Sequence, residues 1–193
     1  MVIRMRLCAI VLAAGLSSRM GEDKLIMNYD GAPLGEYILK NLLYNQKDFS
    51  QIIVVGRLPQ TEEAAGRYGF TYVKNTQPQL GMGYSLALGV LAAENCDGFF
   101  VALSDMPLLK HGTVHTLCAA FSKEPQSIAV PICGGKRGNP VIFPSRFRTE
   151  LSTLSGDYGG REIIKREHEK LLRVQVYDVG ILRDIDTKKD ITG

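Results

Sequence analysis

The sequence predicts an α/β fold with a doubly wound, Rossmann-like, mixed and mostly parallel sheet. Strand-like apolar runs alternate with helix-like segments from residue 7 to residue 121. The runs 7–12, 51–55 and 98–103 are apolar throughout, as is typical of central parallel strands that are covered on both faces. The later segments break the alternation, and we therefore expect one antiparallel strand.

Each predicted element follows from its local pattern. Helix 34–43 is predicted because Leu34, Ile38 and Leu42 recur at helical spacing. Connections are short and no linker divides the chain, so residues 1–193 are predicted to form a single domain. The predicted strands are 7–12, 51–55, 71–73, 98–103, 127–131, 139–143 and 172–178. The predicted helices are 34–43, 60–68, 83–94, 111–121, 145–154 and 159–169.

Composition limits the classes of partner. Apolar residues make up 45% of the 193 residues and charged residues 22%, enough apolar side chain for a full core. The net charge of +3 gives no case for nucleic acid or an anionic membrane as partner. No apolar run approaches the ~20 residues of a membrane span. Four widely spaced cysteines without a CxxC pair indicate free thiols in a reducing compartment, and hence a cytoplasmic protein: Cys8, Cys96, Cys118 and Cys133.

The N-terminus imitates a secretory signal, because Arg4 and Arg6 precede an apolar run. That run leads directly into the loop described next, and cleavage there would remove the loop. We therefore expect no cleaved signal peptide.

The segment 7–25 (LCAIVLAAGLSSRMGEDKL) carries the first functional signal. The apolar run stops at Ala13-Ala14-Gly15, and a loop of small residues follows, with Arg19 and Lys24. Glycines let backbone N–H groups approach an anion, and arginine and lysine both suit phosphate. A polar surface turn with two solvated cations is the alternative. The combination of small residues and two cations after a buried strand favours a phosphate site.

Two common nucleotide-binding motifs are disfavoured. A P-loop needs GxxxxGK[ST], and Gly15 and Gly21 are not followed by Lys-Ser/Thr. A dinucleotide fold needs GxGxxG after the first strand. The GxG at Gly81 to Gly83 lies in the middle of the chain and has Leu86 in place of the third glycine.

Residues 12–24 match every fixed position of the pattern LAAG-x-S-x-R-M-G-x-x-K. In this the chain resembles the MobA-like molybdenum cofactor nucleotidyltransferases, which share the nucleotide-diphospho-sugar transferase fold. The resemblance implies that Arg19 and Lys24 hold the triphosphate and act in catalysis. It also implies that the nucleotide is bound by Leu12, Ala13, Ala14, Gly15, Arg19 and Lys24.

Two acidic motifs suggest a metal site. Asp105, in Leu103-Ser104-Asp105-Met106-Pro107, follows the strand 98–103 at the edge where open α/β sheets bind ligands, and its oxygens suit Mg²⁺. A helix cap is the alternative role. The family carries a D-x-P aspartate that binds Mg²⁺, which implies Asp105 as a ligand and a catalytic residue. It also carries D-I-D-T, whose second aspartate implies Asp186, although the chain continues with Lys188-Lys189 where the family has Pro-Glu.

Two further stretches resemble family motifs. The segment NTQPQLGMGYS resembles an N…GMG-x-S stretch that closes over the nucleotide, implying nucleotide binding by Asn75, Gly81, Gly83 and Ser85. Family members also show G-H-P-V-x-F and G-D-x-G-A-R on the acceptor side. Asn139 replaces the histidine here, which leaves the acceptor open. The implied acceptor-binding residues are Asn139, Pro140, Gly156, Asp157 and Arg161.

The resemblance implies a magnesium-dependent transfer of CMP from CTP to Mo-molybdopterin, giving molybdopterin cytosine dinucleotide and pyrophosphate. Ala14 in LAAG accompanies CTP in the family, whereas guanylyl relatives have LAGG. The alternatives are a GTP-using guanylyltransferase, a nucleotidyltransferase for a sugar or alditol phosphate, and a non-catalytic molybdenum-cofactor chaperone. Retention of Asp105 and Asp186 argues against the last. We expect a monomer that transiently contacts a molybdoenzyme or insertion chaperone and binds neither nucleic acid nor membrane.

Overall fold

The computed structural model describes residues 5–16, 23–185 and 190. Its elements follow the predicted order, with two additional short hairpins. The strands are β1 (Leu7–Ala13), β2 (Asn28–Tyr29), β3 (Ala32–Pro33), β4 (Phe49–Gly56), β5 (Thr71–Lys74), β6 (Gly98–Leu103), β7 (Ala129–Cys133), β8 (Lys136–Arg137), β9 (Val141–Pro144) and β10 (Leu172–Gln175). The helices are α1 (Glu36–Tyr44), α2 (Pro59–Arg67), α3 (Gly81–Ala92), α4 (His111–Lys123), α5 (Arg148–Leu151) and α6 (Arg161–Arg166).

Within the described residues, the main sheet has the order β10-β7-β9-β6-β1-β4-β5, and the short β8 pairs with β7. Strand β1 pairs in parallel with both β4 and β6. Strand β9 is antiparallel to its neighbours β6 and β7. The predicted mixed, mostly parallel sheet is therefore confirmed; β9 is an antiparallel strand as expected, and the two-residue β8, antiparallel to β7, is a second one.

Helices cover both faces of the sheet, because side chains alternate along the central strand. Ala9 and Val11 of β1 pack in the apolar cluster that contains side chains of α1, α2 and α4. Cys8 and Ile10 pack in the opposite cluster, with side chains of α3, α5 and α6. β1 is buried along its whole length. This explains its uninterrupted apolar sequence.

Both short hairpins form because two successive residues adopt positive φ. Gly134 (φ +55°) and Gly135 (φ +76°) join β7 to β8. Asp30 (φ +44°) and Gly31 (φ +90°) join β2 to β3 in the same way. Two residues with positive φ make the type I′ turn that suits a tight hairpin. The Asp-Gly and Gly-Gly pairs were thus usable signals for both strand pairs.

The predicted strand 172–178 is too long, because Asp178 has another role. The strand β10 ends at Gln175. The buried Asp178 carboxylate accepts hydrogen bonds from the Lys110 N–H at 2.9 Å, the Thr113 hydroxyl at 2.7 Å and the Gly180 N–H at 2.9 Å. These bonds fasten the chain after β10 to the start of α4.

The cysteines are free thiols, as their spacing in the sequence predicted. All four are free thiols, and Cys8, Cys96 and Cys118 are buried. None of the helices in the described part of the chain has the length and apolar character needed to span a membrane.

The starts of β1 and β6 are joined by one carboxylate. The Arg6 N–H donates to Asp97 Oδ2 at 2.8 Å, and the Arg6 guanidinium donates to Oδ1 at 3.4 Å. The backbone bond, followed by the guanidinium, lowers the pKa of Asp97 below its ordinary value. A carboxyl with a lowered pKa in the folded state stabilises the fold above its unfolded pKa. That contribution is lost as the pH falls through the folded pKa.

We predict that Asp97→Asn lowers the free energy of unfolding at pH 7 by about 0.5–1.5 kcal/mol, the usual net value of a hydrogen bond. The difference from wild type should shrink below about pH 4, where carboxyls become protonated. Urea unfolding at pH 7 and pH 3 measures this. Glu124→Gln, which removes the same charge at an exposed position, is the control. An equal difference at both pH values would contradict the assignment.

Candidate active site

A cleft of about 570 Å³ lies at the carboxyl ends of β1 and β6, beside the start of α3. This is the edge at which open α/β sheets bind ligands. Its walls carry backbone and small side chains from β1, one cation from the following turn, and acidic side chains from three separate segments. Among its lining residues are Leu12, Ala14, Gly15, Lys24, Ser85, Ser104, Asp105, Asp157, Arg161 and Asp184.

Ser104 holds the two strand ends together. Its N–H donates to the Leu12 carbonyl at 3.2 Å, and its hydroxyl donates to the same oxygen at 2.8 Å. These bonds extend the β1–β6 pairing beyond Leu103. Asp105 is therefore held next to the residues that follow β1.

Lys24 enters the cleft on a short 3₁₀ turn, Lys24–Ile26, that Asp23 caps by accepting from the Leu25 N–H at 3.0 Å. Asp23 also pairs with Arg57, whose Nε donates to the Gly15 carbonyl at 3.3 Å. Arg57 thus connects Gly15 with Asp23, which precede and follow residues 17–22 in the sequence. The sequence analysis missed Arg57, which follows β4 without any recognisable motif.

Asp105 and Lys24 form a partly buried ion pair. The Lys24 Nζ lies 2.7 Å from Asp105 Oδ2 and donates to the Ile185 carbonyl at 2.9 Å. Burial raises the pKa of Asp105; Lys24 opposes this rise, and the nearby Asp184 carboxylate adds to it. Asp105 Oδ1 is buried and has no hydrogen-bond partner among the described residues.

Two carboxylates of this wall are of the type that binds a divalent cation, although no group of three or more His, Cys, Asp or Glu side chains that could hold a metal ion is found within residues 5–16, 23–185 and 190. Asp105 and Asp184 supply hard carboxylate oxygens, the ligands that Mg²⁺ and Mn²⁺ prefer. The buried, unbonded Oδ1 of Asp105 would gain a partner if a cation bound there. Asp184 was not among the predicted ligands, although it begins the same D-I-D-T motif. The predicted ligand Asp186 lies outside the described residues, as does Arg19.

The two glycines of the GMG stretch pack against the acceptor-side loop. Gly81 has φ +84°, and a Cβ on it would lie 2.4 Å from the Gly156 carbonyl carbon. A Cβ on Gly83 would lie 2.8 Å from the Ser155 carbonyl oxygen. The Gly83 N–H donates to the Gly156 carbonyl, and the Gly156 N–H donates to the Leu80 carbonyl, each at 2.7 Å. These two glycines therefore let the backbone of residues 155–156 approach the start of α3 closely, and their contact with a nucleotide stays a prediction.

The other predicted site residues divide into two groups. Asp157 and Arg161 line the cleft, and Arg161 begins α6. Asn139 and Pro140 do not line it; the Asn139 N–H donates to the Ile181 carbonyl at 2.9 Å, and Pro140 is buried. Ala13 lines a cavity beside α1 and α2, on the opposite face of the sheet. Direct ligand contacts by all of these residues stay predictions.

Asn75 and Ser85 form a buried pair. Asn75 is 1% exposed and lies behind the cleft wall, with its amide Nδ2 donating to the Ser85 hydroxyl oxygen at 3.0 Å. Ser85 is 5% exposed and lines the cleft. Any influence of Asn75 on a ligand would therefore pass through Ser85.

Most of the chain matches a known family. A model described as the MobA-like NTP transferase domain matches residues 9–171. The chain belongs to the MobA-like NTP transferase family. It is therefore a nucleotidyltransferase, as the loop and acidic motifs of the sequence implied.

Several curated proteins are similar over most of the chain. The purine catabolism protein PucB of Bacillus subtilis (strain 168) is 31% identical, covering 95% of this chain and 93% of PucB. The molybdenum cofactor cytidylyltransferase of Escherichia coli (strain K12) is 26% identical, covering 94% and 91%. A molybdenum cofactor guanylyltransferase of Xanthomonas euvesicatoria pv. vesicatoria (strain 85-10) is 31% identical, covering 64% and 61%.

Solved structures share the fold. Rv0371c from Mycobacterium tuberculosis H37Rv has a TM-score of 0.79 at 22% identity, covering 97% of this chain and 96% of that one. A second structure of that protein, with a TM-score of 0.76, is a complex with manganese. At this identity the likeness concerns the fold alone.

We predict that Gly81→Ala destabilises the protein, whereas Gly112→Ala does not. The first change forces a side chain into positive φ, at about 1–2 kcal/mol, and into the Gly156 backbone. The control glycine lies in α4, where a Cβ would meet no heavy atom within 4 Å, and alanine there should be neutral or stabilising by up to about 1 kcal/mol. Thermal unfolding compares them, and equal melting temperatures would refute the packing argument.

Proposed function

We propose that residues 1–193 form one catalytic domain that transfers CMP from CTP to Mo-molybdopterin, giving molybdopterin cytosine dinucleotide and pyrophosphate. The observation that carries the proposal is the partly buried Asp105 carboxylate, which pairs with Lys24 through Oδ2 and whose buried Oδ1 has no partner in the described residues. It stands at the ligand-binding edge of the sheet in a nucleotidyltransferase family.

The reaction needs no covalent bond to the protein. An oxygen of the acceptor's terminal phosphate attacks the α-phosphorus in line, forming the new P–O bond. The bond from the α-phosphorus to the bridging oxygen breaks, and its electron pair leaves with pyrophosphate. The chain's task is to align the two phosphates and to stabilise the charge that develops on the leaving group.

The residues of the cleft have separate roles in this proposal. Lys24, together with Arg19, binds the β- and γ-phosphates and stabilises the leaving pyrophosphate. Asp105 and the D-I-D-T aspartates, Asp184 and Asp186, would hold a divalent cation, which we propose to be Mg²⁺. When bound, that cation neutralises phosphate charge. Its carboxylate ligands need to be deprotonated, which the Lys24 ammonium favours at Asp105.

The acceptor is bound on the opposite side of the GMG stretch in this proposal. Asp157 and Arg161 line the cleft, and Arg161 offers a guanidinium suited to the acceptor phosphate. The loop 155–157 is bonded to the GMG stretch, so the nucleotide and acceptor segments are held in one arrangement. Positioning of two bound phosphates is the main source of catalysis for such a transfer.

GTP is the second candidate nucleotide. The Xanthomonas guanylyltransferase is 31% identical to this chain, a higher figure than the 26% of the Escherichia coli cytidylyltransferase, although over less of the chain. In favour of CTP, Ala14 lines the cleft where guanylyl relatives have glycine. Its Cβ would crowd a purine and leave room for a pyrimidine.

The proposed reaction is tested by pyrophosphate release with each of the four nucleoside triphosphates, with and without Mo-molybdopterin. We expect release with CTP that depends on the acceptor and on Mg²⁺.

Asp105→Asn should lower turnover about 100-fold or more, since several kcal/mol of transition-state stabilisation depend on a metal ligand. Asp97→Asn, a matched change away from the cleft, should leave turnover near wild type. Full turnover by folded Asp105→Asn would contradict the metal assignment. Turnover with a sugar phosphate but not with Mo-molybdopterin would show that the acceptor is a sugar phosphate and contradict the proposed acceptor.

We predict that Ala14→Gly relaxes the preference for CTP over GTP without inverting it. One methyl group in a pocket is worth about 1–3 kcal/mol, or about 10–200-fold. Competition kinetics with equal CTP and GTP measure the ratio in both proteins. If wild type used GTP with the same or higher efficiency than CTP, the assignment of CTP as substrate would be refuted, whereas the assignment of nucleotidyl transfer would stand.

A further inference from the structure

The buried pair of Asn75 and Ser85 connects the end of β5 to the second turn of α3, behind the cleft wall. Ser85 is the member that lines the cleft, together with Gln79 and Ala14. A serine hydroxyl can either donate or accept a hydrogen bond, so its direction is set by its surroundings. The surroundings of Ser85 therefore decide which ligand atoms it recognises.

The backbone of Gln77 fixes the orientation of the Asn75 amide. The Gln77 N–H donates to Asn75 Oδ1 at 2.8 Å. A flipped amide would place its NH₂ group against this N–H, donor against donor. The Nδ2 group must therefore face Ser85, where it donates to the hydroxyl oxygen at 3.0 Å.

The hydroxyl hydrogen of Ser85 is consequently left for a ligand. One lone pair of its oxygen is used by Asn75, and no hydrogen bond donated by Ser85 is found within residues 5–16, 23–185 and 190. The hydroxyl is nearly buried, and a buried donor without an acceptor is unfavourable by about 1–3 kcal/mol. A ligand acceptor in the cleft would remove this penalty.

We propose that Asn75 is a positioning residue that makes Ser85 a hydrogen-bond donor toward the cleft, so that Ser85 recognises an acceptor atom on the nucleotide base. The acceptor is a ring nitrogen or carbonyl oxygen, as opposed to an exocyclic amine. The inference rests on the proposed function only in taking the cleft as the nucleotide site. It assigns to Asn75 an indirect role in base selection, with no contact to the ligand.

Asn75→Asp reverses this arrangement with almost no change in shape. The introduced carboxylate accepts from the Gln77 N–H as before and also accepts from the Ser85 hydroxyl. Ser85 then presents only lone pairs to the cleft. A purely structural role for Asn75 would survive the change, because both hydrogen bonds are kept.

The test measures equilibrium binding by calorimetry, without acceptor, of two probes. One is the nucleoside triphosphate that wild type binds most tightly, and the other is ribose 5-triphosphate, which lacks a base. We expect Asn75→Asp to weaken the nucleotide about 10–100-fold relative to the base-free probe. Ser85→Ala should weaken the nucleotide similarly. In the Ser85→Ala background, Asn75→Asp should add less than about 3-fold to the loss.

The base-free probe and the double variant separate the possible causes. Equal weakening of both probes would show simple charge repulsion and overturn the inference. If Asn75→Asp weakened nucleotide binding as strongly in the Ser85→Ala background as in wild type, the inference would also be overturned. Unchanged nucleotide binding by Ser85→Ala alone would overturn it too. That variant keeps the pocket's shape and serves as the test even if Asn75→Asp fails to fold. Binding that follows the expected pattern without pyrophosphate release would support the inference and contradict the proposed function.

Discussion

The cleft depends on the parallel pairing of β1 with β6 and on its continuation past the strand ends. Because the two strands run in the same direction, their following residues emerge at one edge of the sheet. Ser104 fixes that edge by making two hydrogen bonds to one Leu12 carbonyl. The Ile185 N–H then donates to the Asp105 carbonyl at 2.9 Å, which brings the C-terminal D-I-D-T segment to the same place. Residues far apart in sequence thereby meet around Asp105, and a change in strand register would separate them.

Opposing effects act on the charge of Asp105 in the cleft. Burial disfavours the charged form of Asp105, and the neighbouring Asp184 disfavours it further, while Lys24 compensates from one side. A buried carboxyl oxygen without a partner is unfavourable, and such groups occur where structure serves a site at the expense of stability. Asp178 shows the contrast, because its carboxylate is more deeply buried than that of Asp105 and accepts three hydrogen bonds that hold the fold. Within the described residues, Oδ1 of Asp105 has no hydrogen-bond partner, whereas both carboxylate oxygens of Asp178 have one.

Sequence patterns predicted the sheet well, because β1, β4 and β6 are buried on both faces and their apolar runs have no other explanation. They located Asp105 and Lys24 for a similar reason, since each follows a recognisable strand or loop. They could not predict contacts between distant loops. A Cβ at Gly81 or Gly83 would collide with the backbone of residues 155–156, and only tertiary structure brings the two segments together. Asn75 likewise lies one hydrogen bond away from the cleft, a distinction that sequence position does not carry.

Base selection in such a cleft needs both shape and hydrogen-bond direction. Under the proposed function, the Ala14 methyl group alone would provide at most about 200-fold discrimination, because a pocket gains little from excluding one methylene. A polar group that is left unpaired with the wrong ligand discriminates more strongly, and its effect grows as water is excluded. Ser85 is 5% exposed, so a mismatched base atom could not be replaced easily by solvent. In the proposed arrangement, a donor held in one direction by a buried amide would supply the chemical half of base selection, and the Ala14 methyl group just after β1 would supply the steric half.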